Sequence, residues 1–543
     1  MLKRIFSLKF NSITGAAVVI GVAGLISRLL GIVRDRVLAY QFGAGNELDI
    51  YFAAFRVPDL IYNLIVLGAL SAGFIPVFVS LIRKEDSAAY SDNKEAWDLV
   101  NNILNILGLF LFVIGIILAV LSPWLVPLIT PGFSGEKLDL TVALTRLMFL
   151  SPLLLGLSGV FGGVLQSFKR FLAFSLAPIM YNCGIIFGAI FLTNQFGVYG
   201  LAYGVILGAA LHLLIQIPTA VRLGFRCRMI IDFANKNFIK IIKLMGPCIL
   251  GLASAQLNLI VITILASTLA AGSLAVFNFA NNLQSFPIGL IGISFAIAAF
   301  PVLSSSFARN DTDSFNQTLI RTLKQILFFM IPFSVILVVL RIQIVRVILG
   351  SGQFDWSATI LTADSLALFA ISLFAQGLIP LLARAFYARH NSSLPFIAGF
   401  ISVIVNIFLS WYLIQKIGVL GLALGFSISS ILNFILLIVF VKIKIRSLHF
   451  QSLLTTLAKV SFASIAMAVA IQEVKDLLGN LVDMQRFWGI FTQGFVAGIA
   501  GLLVFAIVSY LLKTHEFLVF AGSLKRRVFK IFKVKGEGVR ESG

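Results

Sequence analysis

The chain has 543 residues, of which 59% are apolar and only 12% charged, and its 42 Lys and Arg against 22 Asp and Glu give a net charge of +20. That composition cannot clothe a soluble surface, so the bilayer is the expected solvent, and apolar runs this long read as helices rather than barrel strands. Cys183, Cys227 and Cys248 show no CxxC or Cys/His spacing, which excludes a disulfide framework or zinc site and leaves them as buried spectators.

The opening Lys3, Arg4 and Lys9 before an apolar stretch imitate a signal peptide. The stretch has a counterpart in mid-chain, however, and is read as a first span. Apolar runs of roughly twenty residues place spans near 14–33, 52–82, 99–121, 142–165, 176–195, 199–221, 239–269 and 276–305. Six more follow near 319–340, 360–383, 395–415, 420–441, 455–473 and 487–512. Most of the Lys and Arg, among them Arg222, Arg226, Arg228, Lys236, Lys240 and Lys243, fall at the termini and beside the loops after even-numbered spans. Positive loops stay in the cytoplasm, so both termini are expected there. The charge excess is this retention signal plus a tail from Lys525 to Arg540 that faces anionic lipid headgroups, and nucleic acid is not an expected partner.

The chain repeats itself. Gly24-Leu25-Ile26-Ser27 through Gly43-Ala44-Gly45 is matched without gaps by Gly251-Leu252-Ala253-Ser254 through Ala270-Ala271-Gly272, 227 positions on. Ile75-Pro76-Val77 pairs with Phe300-Pro301-Val302, and Gly197–Gly204 with Gly418–Gly425, in nearly the same register. A unit of six spans returns to its starting side, so its copies insert in the same orientation. The expected fold is an all-α polytopic membrane protein of about fourteen transmembrane helices: two six-helix lobes related by a parallel repeat, facing each other across a cavity, plus a C-terminal helix pair. The expected division is 1–230 for the first lobe, 231–450 for the second, 451–512 for the added helices and 513–543 for a basic cytoplasmic tail.

The repeat is also a control. Where the first copy has Arg28, Arg34, Asp35 and Asp49, the second has Ala255, Val261, Ile262 and Val276. The scaffold packs without those charges, and an arginine inside a span costs at least about 2.5–3.5 kcal/mol on insertion scales. Arg28, Arg34 and Arg56 are therefore the expected substrate-binding residues. Guanidinium suits phosphate and diphosphate groups because its fork donates parallel hydrogen bonds. Asp35, Asp49, Pro58 and Asp59 are read as a gate or as ion-pair partners of Arg34 and Arg56, with Pro58 breaking the second span. Asn258, Asn406 and Ser410 form a weak candidate cation site whose alternative is plain interhelical hydrogen bonding. Gly246-Pro247, Phe286-Pro287 and Ile379-Pro380 fit bending helices or simple kinks.

No GxxxxGK[ST] motif is present, so a coupling cation or the membrane potential, rather than a cofactor, is expected to supply the energy. His212, His390, His449 and His515 are isolated from one another and from clustered acids, which argues against an enzyme.

Ser27-Arg28-Leu29-Leu30-Gly31, Arg34-Asp35, Phe42-Gly43-Ala44-Gly45, Asp49 and Phe55-Arg56-Val57-Pro58 resemble the MurJ/MviN-type lipid II flippases of the multidrug/oligosaccharidyl-lipid/polysaccharide exporter superfamily. Met245-Gly246-Pro247, Phe286-Pro287-Ile288-Gly289, Pro301-Val302-Leu303-Ser304 and Phe386-Tyr387-Ala388-Arg389 extend the resemblance over nearly the whole chain. It implies an inner-membrane transporter in peptidoglycan biosynthesis, acting as a monomer, with cell-wall synthesis enzymes as candidate partners. It further implies that Arg28 and Arg34 hold the diphosphate of a lipid-linked sugar, that Arg56 stands at a basic position, and that the last helix pair lines a groove for the polyprenyl tail. The pattern departs where the family has arginines, at Tyr62 and Asn282, and where it has an acid, at Leu67. Those departures leave open a different lipid-linked saccharide, and a non-transporting scaffold for cell-wall enzymes is the reading from another class.

Overall fold

The computed structural model describes residues 13–67, 73–83, 90–444, 451–484 and 486–522. Lys3, Arg4, Lys9, His449, the tail from Lys525 and the side chain of Cys248 lie outside the described residues. Every regular element among them is helical, with no strand. Ten helices are long and apolar enough to cross a bilayer, or eleven when the pair Trp356–Ile371 and Leu373–Ala388, bent by 47°, is taken as one span. The other three expected spans fall on Ile13–Phe42, on the broken run that starts at Asn46, and on Lys236–Ser267. Phe112, Ile116, Val120 and Trp124 on the helix Lys94–Ile129 are exposed, as lipid solvent requires.

The sequence repeat is visible element by element. In the first copy the second span passes from Arg56–Ile61 into a π-helix at Tyr62–Leu67; in the second, Ser273–Pro287 passes into a π-helix at Ile288–Ile293, 226 positions on. Each of these two π-helices follows a proline, Pro58 or Pro287, whose missing N–H loosens the ladder just before the register widens. The fourth span of each copy is also two helices, Gly135–Met148 with Leu150–Ser167 and Trp356–Ile371 with Leu373–Ala388. Gly197 and Gly418 both take positive φ, 55° and 57°, in the same turn of the two copies. The second span is thus interrupted near Pro58. Asn46–Ala54 ends at Phe55, and the carbonyl of Ala54 faces Pro58, which has no N–H to give it.

The chain divides into two compact units. One comprises Met1–Phe279, Ile348–Leu361 and Asn406–Leu422. Its core stacks Trp97 on Phe168 at 5.7 Å between ring centres, with Phe74, Phe78 and Phe225 around them. Asn101 and Asn102 of Lys94–Ile129, both buried, hold the segment 226–232 as a strand edge would: Asn101 takes Arg228 N–H and gives to Arg226 C=O, while Asn102 does the same with the two backbone groups of Asp232. Phe171–Phe187 and Tyr199–Leu214 approach so closely that a Cβ at Gly188 would collide with the backbone of Gly204. Lipid tails are as apolar as leucine, so packing of this kind, through small residues spaced by four, replaces the hydrophobic effect as the force between helices. Cys183 is half-buried here and Cys227 is exposed, which corrects the expectation that it is buried.

The other unit comprises Ala280–Val347, Thr362–Val405 and Ala423–Gly543. There the helix pair Gln451–Gly479 and Phe487–Leu511 packs on Thr312–Val339 around Phe328, Met467, Ile471, Ala497 and Phe505. Gln343 donates to Gln493, which donates in turn to the carbonyl of Lys475, so the pair is keyed to the unit by buried amides as well as by packing.

Candidate functional site

Most of the singled-out charges meet inside the first unit. Arg34 turns its fork toward its own neighbour: Nε and Nη2 donate to Asp35 Oδ1 at 3.0 and 2.8 Å. Its Nη1 reaches Asn182 Oδ1 at 3.4 Å, and Asn182 is anchored by donation to Pro178 C=O. A pair adjacent in sequence on a helix seldom faces one another. Here Asp35 is 6% exposed and Arg34 is partly covered by the helix Phe171–Phe187, which supplies Asn182.

Arg56 sits at the break between two short helices, and its guanidinium is buried. Nε donates to Thr263 Oγ1 at 2.7 Å and Nη2 to Asn278 Oδ1 at 2.8 Å. Thr263 belongs to Lys236–Ser267 and Asn278 to Ser273–Pro287, and both are fixed by hydrogen bonds to their own helices. The expected ion pair of Arg56 with Asp59 or Asp49 is therefore replaced by two neutral acceptors. Asp59 lies within electrostatic reach of both Arg56 and Arg34, so the two arginines and this carboxylate form one charged interior group.

Asp49 works differently. It is 2% exposed, and its Oδ2 accepts from Lys137 Nζ at 3.1 Å and from Gly272 N–H at 2.8 Å, while Oδ1 accepts from Ala275 N–H at 3.1 Å. The carboxylate thus caps the start of Ser273–Pro287 from across the unit, satisfying orphan donors of that helix. The expected partners Arg34 and Arg56 give way to Lys137, whose ammonium also lies 3.9 Å above the Phe133 ring. Gly272 has φ 87°, and a Cβ there would strike the carbonyl of Ala44, which accounts for the glycine that closes the repeat.

Arg28 lies six residues before Arg34, on an exposed part of Ile13–Phe42. Tyr62 and Asn282 are both half-buried, Tyr62 opening the first π-helix and Asn282 lying in the last turns before the second. Asn258, Asn406 and Ser410 do come together: Asn406 donates to Asn258 at 2.6 Å and accepts from Ser410 at 3.1 Å. Their oxygens are engaged with one another in a chain, which is the hydrogen-bonding arrangement weighed against a cation site.

Sequence reasoning missed Thr263, Asn278, Asn182 and Lys137. Thr263 and Asn278 fall opposite Arg36 and Tyr51 in the 227-residue register, and being uncharged they do not stand out in a comparison of charges between the two copies.

A repeated, broken-helix membrane fold with arginines and acids in its interior is that of a membrane transporter. In keeping with this, a multidrug resistance MATE family transporter of the MOP superfamily, in an inward-facing conformation, has the same fold at 15% identity, with a TM-score of 0.64 over 78% of this chain and 95% of that one. A solved structure of lipid II flippase MurJ in an inward closed conformation matches at 25% identity with a TM-score of 0.75, covering 91% of this chain and 98% of that one. The sequence pattern of the lipid II flippase MurJ family matches residues 38–491. A probable lipid II flippase MurJ of Buchnera aphidicola is 32% identical over 417 residues, 76% of this chain and 80% of the relative. One from Vibrio cholerae is 29% identical over 91% of this chain and 94% of its own length. The chain belongs to the lipid II flippase MurJ family, and it is a multi-pass protein of the bacterial inner membrane.

Proposed function

We propose that this chain carries lipid II, the polyprenyl-diphosphate-linked peptidoglycan precursor, from the cytoplasmic to the periplasmic leaflet by alternating access. The observation that carries the reading is the interior group of Arg34, Asp35, Arg56 and Asp59 in a chain of this family. In a low-dielectric interior a diphosphate gains far more from guanidinium forks than it does in water, provided the protein partners can be exchanged for it. Arg28 and Arg34 receive the diphosphate, and Arg56 joins when it leaves Thr263 and Asn278. Asp35 and Asp59 hold the arginines while no substrate is bound. Asp49 and Pro58 act at the gate, Asp49 as a latch on Ser273–Pro287 and Pro58 as the hinge into the π-helix.

In this reading 1–230 and 231–450 are the two lobes, 451–512 an added helix pair beside the polyprenyl tail, and 513–543 a cytoplasmic tail. Both termini are cytoplasmic, as the Lys and Arg distribution supports. The chain is a transporter with no chemistry of its own, works as a monomer, and draws on a coupling cation or the membrane potential. Asn258, Asn406 and Ser410 would hold such a cation only after breaking their mutual hydrogen bonds. A second reading is favoured by Tyr62 and Asn282, which lack the basic character of the family at those positions: the cargo is then another lipid-linked saccharide.

Complementation in a cell depleted of its own lipid II flippase tests this. The intact chain is expected to restore growth, and Arg28→Ala and Arg34→Ala, at matched membrane levels, are expected to fail. Well-inserted intact protein that gives no rescue would move the cargo away from lipid II.

A further inference from the structure

The second unit contains a cavity of about 390 Å³ that the proposed transport route does not use. Its walls come from the π-helical stretch Ile288–Ile293 with the start of Ser294–Ala308, from Thr312–Val339, and from residues 515–522, a helical segment beyond the last span. Phe295, Phe329, Phe333 and Phe520 supply aromatic surface, and among the described residues two polar side chains enter, Gln325 and Glu516. Leu290 and Phe520 are 42% and 46% exposed at its rim, so the cavity opens along apolar surface.

Glu516 is 7% exposed. Among the described residues its carboxylate has one hydrogen bond, from Thr456 Oγ1 at 3.4 Å. The single proton of that hydroxyl also has the carbonyl of Ser452 as an acceptor, at 3.2 Å, so the bond is shared. The Lys459 ammonium donates to the carbonyl of Leu512 at 2.8 Å, and among the described residues no cation forms an ion pair with Glu516. Its place in the first turn of a helix favours a negative charge there only modestly. A carboxylate this buried with so little compensation calls for a cation. Aromatic faces around it are a second attractor for the same charge.

We propose that this cavity binds the primary ammonium headgroup of a membrane amphiphile, with phosphatidylethanolamine as the matching lipid chemistry. A primary ammonium has three N–H donors; the Glu516 carboxylate and the Gln325 side-chain oxygen accept two or more of them, and the phenylalanine rings surround the charge. A quaternary choline group has no N–H to give, and a phosphatidylglycerol head has no cation. The volume suits a headgroup and the glycerol end of a lipid, with the acyl chains leaving past Leu290 and Phe520.

Native mass spectrometry of the full chain, with phosphatidylethanolamine, phosphatidylcholine and phosphatidylglycerol of matched chains, tests the assignment. The intact protein is expected to retain phosphatidylethanolamine about tenfold over either competitor, and Glu516→Gln to abolish that preference while helix content and melting stay unchanged. Gln325→Leu, which leaves the charge in place, is expected to lower the preference over phosphatidylcholine more than that over phosphatidylglycerol, and it decides the matter should Glu516→Gln fail to fold. Equal retention of the three lipids by the intact protein, or an undiminished preference in both variants, overturns the proposal. So does a preference that emerges only when the chain is truncated after residue 522, since the basic tail would then be the natural occupant.

Discussion

Replacing Asp49 by alanine is the sharpest perturbation of the first unit. The substitution removes three hydrogen bonds at once: those to Gly272 N–H and Ala275 N–H, and the ion pair to Lys137. Each backbone donor left buried without a partner costs about 1–3 kcal/mol. Lys137 is 20% exposed at its side chain, so water compensates it in part and its loss is set at about 1 kcal/mol. The expected destabilisation is about 3–7 kcal/mol in total, at or above the cost of breaking a buried pair. Asp49→Asn keeps one acceptor oxygen and should lose about half as much. Reversible unfolding in mixed micelles, followed by circular dichroism, measures both, and Asp49→Ala combined with Lys137→Met gives the coupling of the ion pair. An Asp49→Ala protein within about 0.5 kcal/mol of the parent would refute the view that this carboxylate caps and latches the helix.

Two further outcomes follow from the same geometry. Arg34→Lys should fail in complementation nearly as badly as Arg34→Ala, because an ammonium cannot reproduce the Nε and Nη2 fork on Asp35; full activity of the lysine variant would show that charge alone suffices. Gly188→Ala should destabilise the first unit by about 1–3 kcal/mol, since the added methyl meets the backbone of Gly204 rather than a movable side chain. An unchanged unfolding midpoint would mean that the two helices separate at no cost.

The solvent, the helical class and the two-copy plan are legible in the chain alone, because span length and positive-loop bias are written in composition and the repeat survives as aligned residues. The sequence also singles out Arg34, Asp35, Asp49, Arg56 and Asp59, through the cost of charge in a span and the absence of counterparts for Arg34, Asp35 and Asp49 in the second copy. Their partners emerge only on folding. Arg56 and Thr263 lie 207 residues apart, and Asp49 meets the start of a helix 223 residues away. Nothing local distinguishes Lys137, in the first turn of Gly135–Met148, from any other lysine between spans until folding places it against a buried carboxylate. The π-helices were equally out of reach, since a single extra residue per turn leaves the apolar pattern intact and shows only in the backbone after Pro58 and Pro287. Glu516 falls in the stretch read as a tail beyond the last span, and only packing against Gln451–Gly479 and the cavity wall buries it, because burial is a property of the packed chain.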